Sequence, residues 1–183
     1  RLPFNEYYYT KWYDNTNSGI AFFHESTLKF GGHSASAGIH ADYEKATLDY
    51  VYEDLIIRAD LRLLAGSGDG DYGFVCGFQD ASHFTALEVS EDGYFSIWKR
   101  AGDETSVLVD WTYADVLISG EGLRLSAQCG TGALRLAANG LLLVEYADDD
   151  FLPGLVGILA GTYAGGQIIV AFDNLEILIP GAE

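Results

Sequence analysis

The chain has 183 residues, of which 49% are hydrophobic, 14% aromatic and 20% charged. This balance is typical of a packed globular protein, excludes a disordered one, and suits one all-β domain with a substantial core. The 27 acidic and 10 basic residues give a net charge of −17, which argues against nucleic acid or an anionic membrane surface as a partner. No apolar run reaches the roughly 18 residues that a membrane helix needs, so we expect no transmembrane segment.

Residues 1–45 are less regular than the rest, and we expect strands there only at 20–23 and 27–30. The chain contains no Met and opens at Arg1, so we expect either a processed mature form or a trimmed one, whose targeting segment, if any, has been removed. Its two cysteines, Cys76 and Cys129, form no C-x-x-C or zinc-ligand pattern. They are therefore either a disulfide or two buried thiols.

From Tyr50 onward, short runs with apolar residues at every second position follow one another. The first, 50–64, alternates apolar and charged residues, as a strand with one solvated face does. A Gly-rich turn at 66–70 and an Asp92-Gly93 hairpin signal connect it to further runs at 72–79, 84–90 and 94–100. We predict that these four strands form one consecutive antiparallel meander, with Phe74, Cys76 and Phe78 on the inward face.

Six more apolar runs complete the pattern, at 107–111, 123–129, 133–138, 141–146, 155–160 and 168–178. Asn139-Gly140 is a second hairpin signal, and the change of apolar phase at Asp173-Asn174 indicates a bulge. The spacing predicts an all-β sandwich or barrel. Because no repeat or linker occurs, we expect a single domain over residues 1–183.

Several short motifs, taken in order, resemble one family. They are Asp71-Tyr-Gly-Phe-Val-Cys-Gly-Phe-Gln-Asp80, His83-Phe84, Ser90-Glu-Asp-Gly-Tyr94, Val109-Asp-Trp-Thr112, Asn139-Gly140 and Phe172-Asp-Asn-Leu-Glu176. Together they resemble the concanavalin A-like, laminin G-type jelly-roll domains of secreted bacterial proteins, including the branch related to the 3-keto-disaccharide hydrolases (DUF1080). The resemblance implies a two-sheet antiparallel β-sandwich, an extracellular or cell-surface location and a carbohydrate-related or adhesive role. It also implies that Cys76 and Cys129 meet in a disulfide.

The sequence offers no catalytic residues. Glycoside hydrolysis needs a pair of carboxylates, and the E-x-D-x-x-E pattern of laminarinase-like relatives is missing, while two of the nearest acids, Glu91 and Asp92, lie on a turn. No cofactor is expected to be required. Oxygen-rich Gly/Asp loops do suit a structural calcium ion, for which Asp69, Asp71 and Asp173 are the candidate ligands, although Asp is also common in such turns without a metal.

Period two sends a second set of side chains to the outward face of the predicted meander, where Gly77, Ala86 and Ser96 would form the centre of a shallow trough. Aromatic planes with hydrogen-bonding neighbours bind sugars. The candidate contacts are Arg58, Gln79, Glu88, Tyr94 and Trp98, with Trp111 at the rim. We therefore expect a non-catalytic extracellular module that binds carbohydrate or a cell-surface glycan. The alternatives are a glycoside-active enzyme of the 3-keto-disaccharide hydrolase type, or a structural or adhesion domain of a larger surface protein. The aromatic side chains of this face could also be covered by the N-terminal segment or by a partner.

Overall fold

The computed structural model describes residues 8–12 and 19–23 as backbone strands, and residues 51–66, 68, 70–80, 82–118, 120, 122–162 and 168–180 in full. All structural statements below concern these residues. The strand expected at 27–30 and the calcium candidate Asp69 lie outside them.

Twelve strands and one short 3-10 helix make up the described part of the chain. The strands are β1 (Tyr8–Trp12), β2 (Gly19–Phe23), β3 (Leu55–Gly66), β4 (Gly70–Asp80), β5 (His83–Ser90), β6 (Tyr94–Ala101), β7 (Glu104–Tyr113), β8 (Leu123–Gly130), β9 (Ala133–Ala138), β10 (Leu141–Tyr146), β11 (Leu155–Thr162) and β12 (Ile168–Leu178). The helix, Asp115–Ile118, follows β7.

The strands form two antiparallel sheets that pack as a β-sandwich. The seven-stranded sheet has the order β1-β2-β11-β4-β5-β6-β7, and the five-stranded sheet has the order β10-β9-β8-β3-β12. The expected two-sheet sandwich is confirmed. β7 is an edge strand of the larger sheet.

The predicted meander is wrong at its first strand. β3 pairs with β8 and β12 in the five-stranded sheet, so the meander in the larger sheet runs from β4 to β7 instead. The chain changes sheets through the Gly-rich turn, where Gly68 N donates a hydrogen bond of 2.9 Å to Glu91 Oε2. A Cβ at Gly66 would lie only 2.0 Å from that oxygen, so the missing side chain at Gly66 leaves room for the Glu91 carboxylate to accept this hydrogen bond.

Alternate residues of both sheets fill the space between them, as period two requires. Leu55, Ile57 and Phe74 are among the fully buried side chains of this core. The disulfide between Cys76 and Cys129 is confirmed, with a Cα–Cα distance of 6.3 Å. Because Cys76 lies on β4 and Cys129 on β8, the bond joins the two sheets.

Two irregularities decide which way side chains point. The predicted bulge at Asp173-Asn174 is confirmed, since the register shifts there and Asn174 has a φ of 48°. A second bulge, between Cys76 and Asp80, contains Gly77 with a φ of 61°. This bulge corrects the expectation for Phe78, which leaves the inward face and packs in the outer cluster with Val75 and Phe84.

Candidate functional site

The two outer faces of the sandwich have different chemistry. The outer face of the five-stranded sheet carries a network of ion pairs, in which Arg124 contacts Asp60 and Glu176 at 3.0 Å each and Arg58 also pairs with Glu176. A further pair joins Arg135 to Glu145. This face is a solvated surface on which most of these charged side chains pair with one another.

The outer face of the seven-stranded sheet is apolar instead. Val75, Phe78, Phe84, Ala86 and Leu159 form a second buried cluster. Trp98 packs against this cluster, and its ring lies edge-on to Phe84 at a centroid distance of 5.2 Å. Phe84 in turn lies 6.0 Å from Phe78, so a row of aromatic rings crosses from β4 through β5 to β6.

A buried carboxyl group holds the Trp98 indole in place. Glu88 is only 1% exposed, and the Trp98 Nε1–H donates a hydrogen bond of 2.7 Å to Glu88 Oε1. Burial, followed by the negative charge of Asp71, raises the pKa of Glu88 well above its ordinary value, and the Trp98 hydrogen bond opposes this rise. The hydrogen bond to Glu88 and the packing on Phe84 together fix the orientation of the Trp98 indole.

The predicted ligand contacts do not all come together. Glu88, Tyr94 and Trp98 lie on the outer face of the larger sheet, and Trp111 is 36% exposed on β7. Gln79 lies at the end of β4, where its Nε2 donates to Pro153 O at 3.2 Å. Because β3 belongs to the other sheet, Arg58 lies on the opposite side of the sandwich and is not part of this face.

The expected trough is not open at its centre. Ala86 and Ser96 are only 0% and 2% exposed. Ala86 packs among the aromatic rings of the outer cluster, and the Ser96 hydroxyl donates a hydrogen bond of 2.9 Å to Val109 O. The accessible part runs along β6 and β7, and we call it the β6–β7 surface. It consists of Tyr94, Trp98, Arg100, Val107 and Tyr113, with Trp111 on the same edge strand.

Aromatic rings mark one end of the β6–β7 surface. Tyr94 and Tyr113 are opposite each other on β6 and β7, and their rings meet edge-on at 5.4 Å. Tyr94 is 37% exposed and Tyr113 is 46% exposed. The pair offers a rigid, amphipathic contact area in addition to Trp98.

Arg100 is a residue of this surface that the sequence argument missed. It lies opposite Phe84 on β5 and Thr105 on β7, two positions beyond Trp98 on the same face. Its Nε atom is buried and has no hydrogen-bond partner. The sequence could have identified Arg100, because the period-two alternation that places Trp98 on the outward face places Arg100 there as well.

The candidate calcium ligands do not assemble among the described residues. Asp71 is 7% exposed on β4 of the larger sheet, whereas Asp173 lies on β12 of the other sheet beside Asp60. Within the ranges that the structure describes, no group of three or more His, Cys, Asp or Glu residues could hold a metal ion. Asp71 and Asp173 thus lie on different sheets of the sandwich, and calcium binding stays a prediction.

No family model matches the chain. It is 31% identical over 157 residues to the cytochrome c biogenesis ATP-binding export protein CcmA of Mesorhizobium japonicum, an alignment covering 76% of this chain and 77% of that protein. The P-loop of ATP-binding proteins is a strand, a G-x-x-x-x-G-K-S/T sequence and a helix. Here none of the lysines, at positions 11, 29, 45 and 99, follows a glycine. The match therefore brings no P-loop to this chain.

Solved structures of carbohydrate-binding proteins resemble the fold of this chain. The carbohydrate-binding module CBM66 of Bacillus subtilis superposes with a TM-score of 0.60 over 96% of this chain and 99% of its own length, at 14% identity. Sheep galectin-11 superposes with a TM-score of 0.50 over 69% of this chain and 90% of its own, at 10% identity. The chain thus has a β-sandwich fold like that of carbohydrate-binding modules. Among the described residues, no helix has the length and apolar character to cross a membrane.

Proposed function

We propose that this chain is a non-catalytic carbohydrate-binding module. By sequence identity the chain belongs to one family with the Mesorhizobium protein. Its β-sandwich fold is like that of carbohydrate-binding modules. Its binding site is the β6–β7 surface. The observation that carries the proposal is the fixed indole of Trp98, which is hydrogen-bonded to a buried carboxyl and packed on Phe84 beside exposed aromatic rings.

A preorganised aromatic plane suits a sugar, because its apolar face stacks on the ring while neighbouring polar groups take the hydroxyls. Trp98 loses little freedom on binding, since Glu88 already holds it. Among the described residues, the opposite outer face has no comparable exposed aromatic ring. Several of its charged groups pair with one another, as Arg124 does with Asp60.

A glycoside-active enzyme of the 3-keto-disaccharide hydrolase type is the second candidate, and one observation favours it. Asp71 and Glu88 lie on adjacent strands, and the charge of Asp71 contributes to the raised pKa of Glu88. Paired carboxyls can serve as acid and base in glycoside hydrolysis. However, the two residues are 7% and 1% exposed, so a scissile bond would not reach them without rearrangement.

Three further statements belong to the same proposal. A disulfide is stable in an oxidising compartment, which supports an extracellular or cell-surface location. The match over almost the whole of a carbohydrate-binding module supports a single domain. Calcium binding stays a prediction, with Asp69, Asp71 or Asp173 as the candidate ligands. If calcium is bound, excess EGTA should lower the melting temperature, and an unchanged melting curve would remove calcium from the account.

A glycan array with the purified protein tests the proposed function. We expect reproducible binding of one sugar class, with strong loss in Tyr94→Ala and Trp98→Ala, each checked for folding by circular dichroism. Arg58→Gln is the control, because Arg58 lies on the other face. Equal binding by all four proteins would reject the β6–β7 surface as the site, and turnover of a bound sugar would favour the enzyme.

A further inference from the structure

We propose that Arg100 is an anion-recognition subsite and that the ligand is an acidic glycan, one that carries a carboxylate or sulfate group. This inference rests on the proposed function, because it places the acidic group beside the sugar that stacks on Trp98. It adds the chemical class of the glycan, which the aromatic rings alone do not define.

The first reason is the unmatched hydrogen-bonding capacity of Arg100. The Nε atom is buried and has no partner, although buried donors are nearly always satisfied. A guanidinium also remains charged at every physiological pH. By contrast, three of the four arginines of the five-stranded sheet, Arg58, Arg124 and Arg135, each pair with a carboxylate of that same sheet. Arg100 as a whole is only half-buried, and no carboxylate among the described residues pairs with it, so its guanidinium is a cation without a counter-charge on this face.

The second reason is the position of Arg100 along β6. It follows Trp98 by two residues on the same face, a separation of about 7 Å along a strand. A sugar ring on the indole can therefore direct a charged substituent toward the guanidinium. The planar fork of donors in arginine matches carboxylate and sulfate oxygens better than it matches single hydroxyls.

The net charge of the chain makes an anion preference diagnostic. At −17 the protein repels anions at long range, so non-specific electrostatics would favour a neutral glycan. Solvent-exposed charges beyond about 8 Å are screened at physiological ionic strength. A preference for the acidic glycan would therefore come from a local contact.

The decisive experiment compares glycans that differ in charge alone. Isothermal titration would use oligogalacturonate, its carboxyl-reduced neutral form, and a sulfated form of that neutral oligosaccharide. We expect a charged form to bind at least tenfold more tightly than the neutral one, because a charge-assisted hydrogen bond is stronger than one between neutral groups. Arg100→Gln should abolish this preference. Arg135→Gln removes the same charge from the opposite sheet and should keep it.

A second measurement does not depend on the glycan backbone. Titration of inorganic sulfate, followed by the NMR signals of the arginine Nε–Hε groups, should shift the Arg100 signal and leave those of the ion-paired Arg58 and Arg124 in place. Because Arg100 Nε donates no hydrogen bond, Arg100→Gln should melt close to the parent protein. Equal affinity for charged and neutral forms, or an unmoved Arg100 signal, would overturn the inference while leaving glycan binding intact. Absence of all glycan binding would reject the proposed function itself.

Discussion

Replacing Trp98 separates the structural role of the indole from its role in binding. Trp98→Ala removes the hydrogen bond to Glu88, which leaves a buried carboxyl without that donor at a cost of about 1 to 3 kcal/mol. It also removes the ring pair with Phe84, worth about 0.5 to 1.5 kcal/mol. We therefore expect a loss of about 3 kcal/mol in the free energy of unfolding, or roughly 6 to 12 °C in melting temperature.

Trp98→Phe keeps an aromatic ring beside Phe84 but removes the N–H donor, together with part of the bicyclic indole. Urea denaturation should show a loss of about 1 to 3 kcal/mol in this variant. Adding Glu88→Leu should restore part of that loss, because removing both partners of a buried hydrogen bond is far less costly than removing one. A Trp98→Ala protein as stable as its parent would refute the assigned contacts, and no recovery in the double variant would refute the role of Glu88.

Three other perturbations follow from the same structure. The raised pKa of Glu88 means that the folded state binds the Glu88 proton more tightly than the unfolded state does. The free energy of unfolding should therefore fall as pH rises from the ordinary glutamate range toward the raised value. In urea melts Glu88→Gln should flatten this pH dependence, whereas Glu104→Gln, on the exposed edge strand, should leave it unchanged. In thermal melts Gly77→Ala should destabilise the protein more than Gly102→Ala does. Both glycines have a positive φ, but only the new methyl group at position 77 would meet another atom closely, Leu152 O at 2.4 Å. Reduction of Cys76–Cys129, which closes a loop with a sequence separation of 53, should cost on the order of 4 kcal/mol, and an unchanged melt after full reduction would contradict this.

The strands were predictable because burial imposes period two on the sequence. The alternation in β3 and the hairpin signals at Asp92-Gly93 and Asn139-Gly140 placed most strands close to their observed positions. Sheet membership was not predictable in the same way. A Gly-rich turn serves either a hairpin or a crossing between sheets, and the close contact of Gly66 with Glu91 is a tertiary feature.

The candidate site was predictable only in part, for a related reason. Trp98 and Tyr94 were placed on the correct face because β6 keeps its alternation throughout. Phe78 was placed on the wrong face because a bulge at Gly77 reverses the alternation, and a glycine in a strand does not by itself reveal a bulge. Arg58 was misplaced because its strand joins the other sheet. The burial of Ala86 and Ser96 depends on side chains from neighbouring strands, which period two does not specify.

The central claim is that carbohydrate binds on the β6–β7 surface, and NMR mapping of backbone and indole N–H signals tests it most directly. The protein would be titrated with the glycan that gives the strongest array signal. We predict that the signals of Trp98, Tyr94 and Tyr113 shift together and saturate at one ligand concentration, while those of Arg58 and Glu176 on the opposite face stay in place. Shifts confined to the face of Arg58 and Glu176, or no saturable shift on β6 and β7, would contradict the account.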